Sequence, residues 1–346
     1  MKKRTLLGAA FSAVLASTLW PVATTAQEVT LKLHQFLPAP ATVPKLILKP
    51  WAERVEEASD GRIKIDHFDA MALGGTPPSL MDQAIDGSAD LIMTVVGYTP
   101  GRFPKTEVFE LPFMMTDPIA TSKAFMDLVE TDLQGEEYKD VKILGAWVHG
   151  PGVVHSRNGV TKLEDMEGLK MRGPTRVITD MLRELGATPV GMPLPAIPES
   201  LSKGVIDGTV IPWEVTPAIK LSELIGHGTE FTNSKEALYT ATIVLAMNKA
   251  KYDAMPDDLK AILDAESGQK LSEFAAQVMY ERDDPGRELA LSNGSEIIQL
   301  DEAEIARWKE KAQPVIERWK EEMAAKDIDG EALIEKARAL IEKHGG

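Results

Sequence analysis

The sequence predicts an α/β protein of two lobes with a ligand cleft between them, and three observations carry that prediction. About 320 residues remain once an N-terminal leader is set aside, more than one hydrophobic core usually serves. The remaining chain opens on a strand–helix–strand pattern, which implies a parallel sheet flanked by helices. A second pattern, helix, Gly turn, Asp and strand, occurs once in each half of the chain.

The elements follow in order. Val29 to Phe36 alternates apolar and polar residues and stops at Leu37-Pro-Ala-Pro40, as a strand feeding a loop does. From Pro44 to Ala58, apolar residues return at helical spacing through Leu46, Ile47, Trp51 and Val55. Arg62 to Phe68 alternates again. Leu80 to Ile85 reads as a helix, and Gly87-Ser-Ala-Asp90 turns it into the apolar run Leu91 to Val96. Ile197 to Lys203 repeats the pattern through Gly204-Val-Ile-Asp207 into Gly208 to Trp213. Gly suits the left-handed residue that ends a helix, and Asp bonds nearby backbone N–H groups in the turn. Residues just past such strand ends line the crevice of an open α/β sheet, which makes Gly97-Tyr98 and Pro212-Trp213-Glu214 cleft candidates.

The strands Lys142–Trp147 and Val153–Ser156 flank His149-Gly-Pro-Gly152, where the chain is expected to cross between lobes. The apolar strand Thr240 to Met247 offers the return. Lobe I is therefore expected to comprise 27–149 with 243–282, and lobe II 150–242 with 283–346. From Asp257 onward the pattern is charged and helical, with Trp308, Val315, Ile316, Trp319 and Leu333 as core positions and a solvated Glu/Lys face.

Lys2-Lys-Arg4, the apolar run Leu6–Leu19 and the small residues up to Ala26 read as a secretory signal peptide spanning 1–26, cut after Ala26. That predicts export to the periplasm. Losing the three leader cations takes the net charge from −15 to −18, which argues against a nucleic-acid partner. Such a surplus repels anions at long range, so anion capture has to rest on local cations. With no Cys, disulfides, thiolate chemistry and Cys-based zinc sites are excluded.

Leu163-Glu-Asp-Met-Glu-Gly-Leu-Lys-Met-Arg172-Gly-Pro174 sets an arginine at a strand end beside a Gly-Pro break. A guanidinium there can grip a carboxylate through two parallel bonds and stays charged at any relevant pH. This segment belongs to an ordered series: Leu73-Gly-Gly75, Gly87-x-x-Asp90, Glu110-Leu-Pro-Phe113, Gly186-Ala-x-Pro189, Gly204-x-x-Asp207-Gly208 and Met247-Asn-Lys249 with Pro256 and Leu259. The series resembles the solute-binding proteins of tripartite ATP-independent periplasmic (TRAP) transporters, the DctP family, over nearly the whole chain after the leader. The resemblance implies the two-lobed periplasmic binding protein fold, with crossing hinge strands and a long helix. It also implies that Arg172 holds a small ligand's carboxylate. The partners implied are the small and large integral membrane subunits, which move the ligand inward on an ion gradient.

Two departures bear on the ligand. The sialic-acid branch has a second arginine where this chain reads Gly150-Pro-Gly152, and a Glu-Asn pair where it has Val210-Ile211. A polyhydroxylated sugar acid would lose the partners its hydroxyls need on burial. The expected cleft positions are instead Phe36, Tyr98, Phe113, Trp147 and Trp213, with His149 or His155 as hydrogen-bond donors and Tyr239 or Thr240 as a second contact to the carboxylate. Aromatic walls suit a planar ring, and also an onium group held over the ring face. An aromatic or other monocarboxylate therefore leads, and a betaine- or sulfonium-type zwitterion follows.

Enzyme chemistry has less support. His34, His67, His149, His155, His227 and His344 form no metal-binding spacing, and no Ser nucleophile elbow, P-loop or dinucleotide glycine pattern is present. No cofactor or metal is expected. Glu214 could supply an oxygen to calcium, but no dense carboxylate loop accompanies it. The rival reading is an exported hydrolase or lyase of a small acid, with His149 or Glu214 as base.

Overall fold

A computed structural model describes residues 27–231 and 236–346; the leader expected at 1–26 lies outside the described residues. Among the described residues eleven strands form two sheets. They are β1 Val29–Gln35, β2 Ile63–Phe68, β3 Leu91–Val95, β4 Val141–Val148, β5 Val153–Ser156, β6 Lys170–Gly173, β7 Thr188–Gly191, β8 Gly208–Ile211, β9 His227–Phe231, β10 Thr242–Asn248 and β11 Glu296–Leu300. The first sheet has the order β2-β1-β3-β10-β4, and the second β11-β9-β5-β8-β6-β7.

The first sheet grows from the opening strand–helix–strand unit. β1 pairs parallel with β2 and β3 around the helix Lys49–Ala58, whose Trp51 and Val55 are fully buried because they share its apolar stripe with Ile47 one turn earlier. The late strand β10 enters antiparallel between β3 and β4. Its seven residues are all buried, as a central strand covered on both faces must be. In the second sheet β8 is central, parallel to β6 and antiparallel to β5.

The chain passes between the lobes at four places. It leaves the first sheet between β4 and β5 through His149–Gly152, and returns between β9 and β10. A third passage joins the helix Gln269–Glu281, which packs on β4, to Asp283–Ser292, which packs on Trp213–Ile219. The long helix Glu302–Ala324 lies on Arg176–Glu184 of the second lobe. The last helix, Gly330–Lys343, departs from the expected division: it packs on Pro118–Leu128 of the first lobe. Lys343 and His344 bind Asp127 there, and Lys336 binds Asp132. A charged amphipathic helix does not encode which lobe supplies the surface for its buried stripe of Ile334, Ala337 and Ile341.

Candidate ligand-binding site

Between the sheets lies a cavity of about 60 Å³, room for a few waters. The first lobe contributes Phe36, Met93, Val95, Tyr98 and Ile243, the second Arg172, Leu194, Ile211 and Glu214, and the crossing segments His149, Tyr239 and Ala241. Its walls are apolar or aromatic apart from a few polar groups.

Arg172 is the central one. It stands on β6 beside β7 and β8 and is 1% exposed. Its Nε donates to the Met192 carbonyl at 2.8 Å and Nη1 to that of Val210 at 3.3 Å, so two neutral acceptors aim the guanidinium. Burial draws its pKa down, but from so high a start that the charge persists. Among the described residues, Arg172 has no carboxylate partner. That is an unusual state, because a buried charge is normally paired.

Two phenols face this charge. Tyr98 accepts the Leu194 amide at 3.0 Å, lies beside the guanidinium, and sets its ring 5.4 Å from Phe36 at 60°. Among the described residues the buried Tyr239 hydroxyl has no hydrogen-bond partner, and its ring meets His149 edge-on at 5.4 Å. Gly152 makes room for it: a Cβ there would lie 2.0 Å from the Tyr239 ring. His149 Nδ1 lies 2.6 Å from the Gly150 carbonyl oxygen and therefore donates to it. Burial pushes the His149 pKa down to about 4, so the neutral ring keeps Nε2 as an acceptor.

Phe36, Tyr98, His149, Arg172 and Tyr239 thus meet at one cavity, and three expected aromatics do not. Trp213 packs with Val153, Ala290 and Ile297 behind the sheet, its ring edge-on to His155 at 4.6 Å and its Nε1–H donated to Glu230 at 2.8 Å. The strand ends at Ile211, and Pro212 and Glu214 turn inward while Trp213 between them turns out. Trp147 is fully buried in β4 within the core, as the strand's coverage on both faces requires. Phe113 sits outside the cavity, against Phe231 and beneath the Lys309 ammonium. His155 lies behind with Trp213, bonded to the Ile211 carbonyl, and Thr240 spends its hydroxyl on the His149 carbonyl. Among the described residues no group of three or more His, Asp or Glu is placed to hold a metal.

The lobes also meet outside the cavity. Arg176 of the second lobe donates through Nε and Nη2 to both oxygens of Glu107 in the first, a two-point pair. Trp319 adds its indole N–H to the same carboxylate at 3.3 Å. Next to this clasp the chains touch at Gly97, where a Cβ would lie 2.3 Å from Thr175. A wider groove of about 570 Å³ opens beside it, lined by Arg176, Arg183 and Arg318 among others. All three are already paired with carboxylates, so an anion gains less there than at Arg172.

Residues 36–322 match the model of the bacterial extracellular solute-binding protein family 7, DctP. The chain belongs to this family. A TRAP solute-binding protein from Rhodoferax ferrireducens T118, solved with copurified benzoate, is 48% identical, with a TM-score of 0.89 over 91% of this chain and 98% of that one. A marine metagenome TRAP solute-binding protein specific for aromatic acid ligands, solved with 3-hydroxybenzoate, is 43% identical, with a TM-score of 0.90 over 93% and 100%. The C4-dicarboxylate-binding periplasmic protein DctP of Rhodobacter capsulatus is 25% identical over 95% of this chain and 97% of its own length. The two-lobed fold of these DctP-family proteins is the fold described above. Among the described residues no helix is long and apolar enough to cross a membrane.

The buried acids of this DctP-family chain give its stability a pH dependence. Burial pushes Glu110, which accepts from the Thr242 hydroxyl of β10, and Glu214 in the cavity both up to about 7 from the usual 4.5. Folded, they hold more protons than unfolded, so their contribution is full below pH 4.5 and is lost as pH rises through 7. His149 and His155, pushed down to about 4 and about 3, act oppositely, but their effect is complete by pH 6.5. The melting temperature is therefore expected to fall from pH 6.5 and level off by pH 8, each acid contributing about 0.7 kcal/mol per pH unit at pH 7, half the limiting slope of about 1.4. Glu110→Gln should flatten the fall. Calorimetry across that range showing a level or rising melting temperature would refute the assignment.

Proposed function

We propose that the protein is the periplasmic solute-binding subunit of a TRAP transporter, capturing a small aromatic carboxylate and presenting it to the two membrane subunits. The observation that carries this reading is Arg172: a buried guanidinium without a carboxylate partner, facing an apolar cavity. An anionic ligand supplies the missing charge, and in a water-poor site the pair is stronger than at a surface. Arg172 fixes the carboxylate with the Tyr98 and Tyr239 hydroxyls beside it, and the Phe36 and Tyr98 rings enclose the ring of the ligand. The relatives solved with benzoate and 3-hydroxybenzoate support the same class. Closure follows from differential affinity: the bound acid reaches Arg172 and the first-lobe rings together only when the lobes meet.

The test is a thermal-shift panel on the purified mature protein with benzoate, 3-hydroxybenzoate, mandelate, glycine betaine, dimethylsulfoniopropionate and galactonate. A ligand at 100 times its dissociation constant stabilises by about 2.7 kcal/mol. Shifts confined to the aromatic acids, each recovered unchanged after incubation, are the expected result. Shifts from the onium compounds alone would change the ligand class, and consumption of the acid would favour an enzyme.

A further inference from the structure

The cavity holds a second polar group whose place the carboxylate grip does not explain. Glu214 lines the same space as Arg172 and is 4% exposed, yet the two form no ion pair. Arg172 sits with Tyr98 and Tyr239, whereas Glu214 sits beside the Thr42 hydroxyl and near Asp283. The polar features of the cavity are thus divided between two places, with Phe36, Val95, Ile243 and other apolar side chains around them.

Glu214 is also held in position. Its amide donates to Asp283 Oδ1 at 2.8 Å, across the third passage between the lobes. The Thr216 hydroxyl closes on the Trp213 carbonyl at 2.8 Å, and Pro212 fixes the backbone just before. These restraints hold the backbone of Glu214, and its carboxyl, turned into an apolar cavity with the Thr42 hydroxyl beside it, loses water without gaining a cation. That arrangement costs free energy unless a ligand returns a hydrogen bond.

We infer that Glu214 determines specificity by accepting a hydrogen bond from a hydroxyl on the ring of the bound acid, so that the preferred ligand class is a hydroxy-substituted aromatic carboxylate. This inference rests on the aromatic-acid reading above. A cationic ligand tail fits less well. Burial disfavours the ionised carboxylate that a cation would need, while a carboxyl in either protonation state can accept from a hydroxyl.

The experiment compares dissociation constants by calorimetric titration of the mature protein with benzoate, the 2-, 3- and 4-hydroxybenzoates, and the matching fluorobenzoates, which resemble the hydroxy acids in size but donate no hydrogen bond. One hydroxy isomer is expected to bind about tenfold tighter than benzoate and than its fluoro counterpart. Glu214→Leu should bring that ratio to about 1, and Glu214→Gln, which keeps a carbonyl acceptor, should hold an intermediate ratio. Binding of all these acids by the wild type without preference for any hydroxy isomer would overturn the inference and leave the aromatic-acid reading standing. An unchanged ratio in Glu214→Leu would do the same. No binding of any of them would overturn both. The wild-type comparison stands by itself should Glu214→Leu fail to fold.

Discussion

Arg172→Lys is expected to bind the aromatic acid about a hundredfold more weakly than the wild type, and Arg172→Met to show no measurable binding. Removing one partner of a buried, hydrogen-bonded charge pair costs about 2–5 kcal/mol, and each 1.4 kcal/mol is tenfold. Lysine keeps the charge but cannot place two parallel donors on a carboxylate. It also gives up the fork that holds the Met192 and Val210 carbonyls at once. Ligand-free stability separates this from a folding defect. Arg172→Met forfeits two hydrogen bonds of about 1 kcal/mol each, but removes a buried charge that has no carboxylate partner, and these effects oppose. The ligand-free melting temperature should therefore move little while the ligand-induced shift disappears. Titration showing Arg172→Met within threefold of wild type would take Arg172 out of the grip on the carboxylate.

Trp213→Ala should do the reverse, damaging the fold and sparing the affinity. The indole fills a small cluster with Val153 and Ala290 and satisfies Glu230. Truncating a buried tryptophan costs about 3–5 kcal/mol, which for a chain of this size lowers the melting temperature by on the order of 10 °C. The residual ion pair of Glu230 with Arg287, at 2.7 Å, keeps that carboxylate from being orphaned. Scanning calorimetry gives the first quantity, and titration well below the melting temperature the second. Weak binding with an unaltered melting temperature would place the indole against the ligand instead.

Trp213 also shows where the sequence stopped being readable. The helix, Gly turn and Asp that announced β8 were enough to place position 213 near a strand end, and the cleft does begin there. The turn that follows the strand decided the rest: Ile211, Pro212 and Glu214 line the cavity, and the Trp213 indole packs behind the sheet. The same local signals located β1, β3, β6 and the Gly-Pro crossing, because each is written in a few consecutive residues. They placed Phe36, Tyr98 and Arg172 at strand ends, where the cavity formed. Tyr239, in the crossing segment, was found on position alone. Trp147 carried the opposite lesson, since an aromatic in a strand buried on both faces fills the core and not the cleft. What the chain did not disclose was long-range pairing. Glu107 and Arg176 are 69 positions apart, and nothing in either segment names the other. The burial that raises Glu214 likewise depends on lobes meeting, not on its neighbours in sequence.

The return of the last helix to the first lobe bears on how this molecule can be watched at work. Gly346 lies against Thr116 and Ala120, and β1, two residues into the described chain, belongs to the same sheet-and-helix body. Both ends of the described chain are therefore anchored on one lobe, and a surface tether at Gln27 or Gly346 leaves the other lobe unattached. By the same geometry, a pair of fluorophores at those two places would ride together and stay silent during the proposed closure. A reporter of the motion has to be placed inside the chain, one dye on each lobe, and the absence of native cysteine leaves the thiols for it unambiguous.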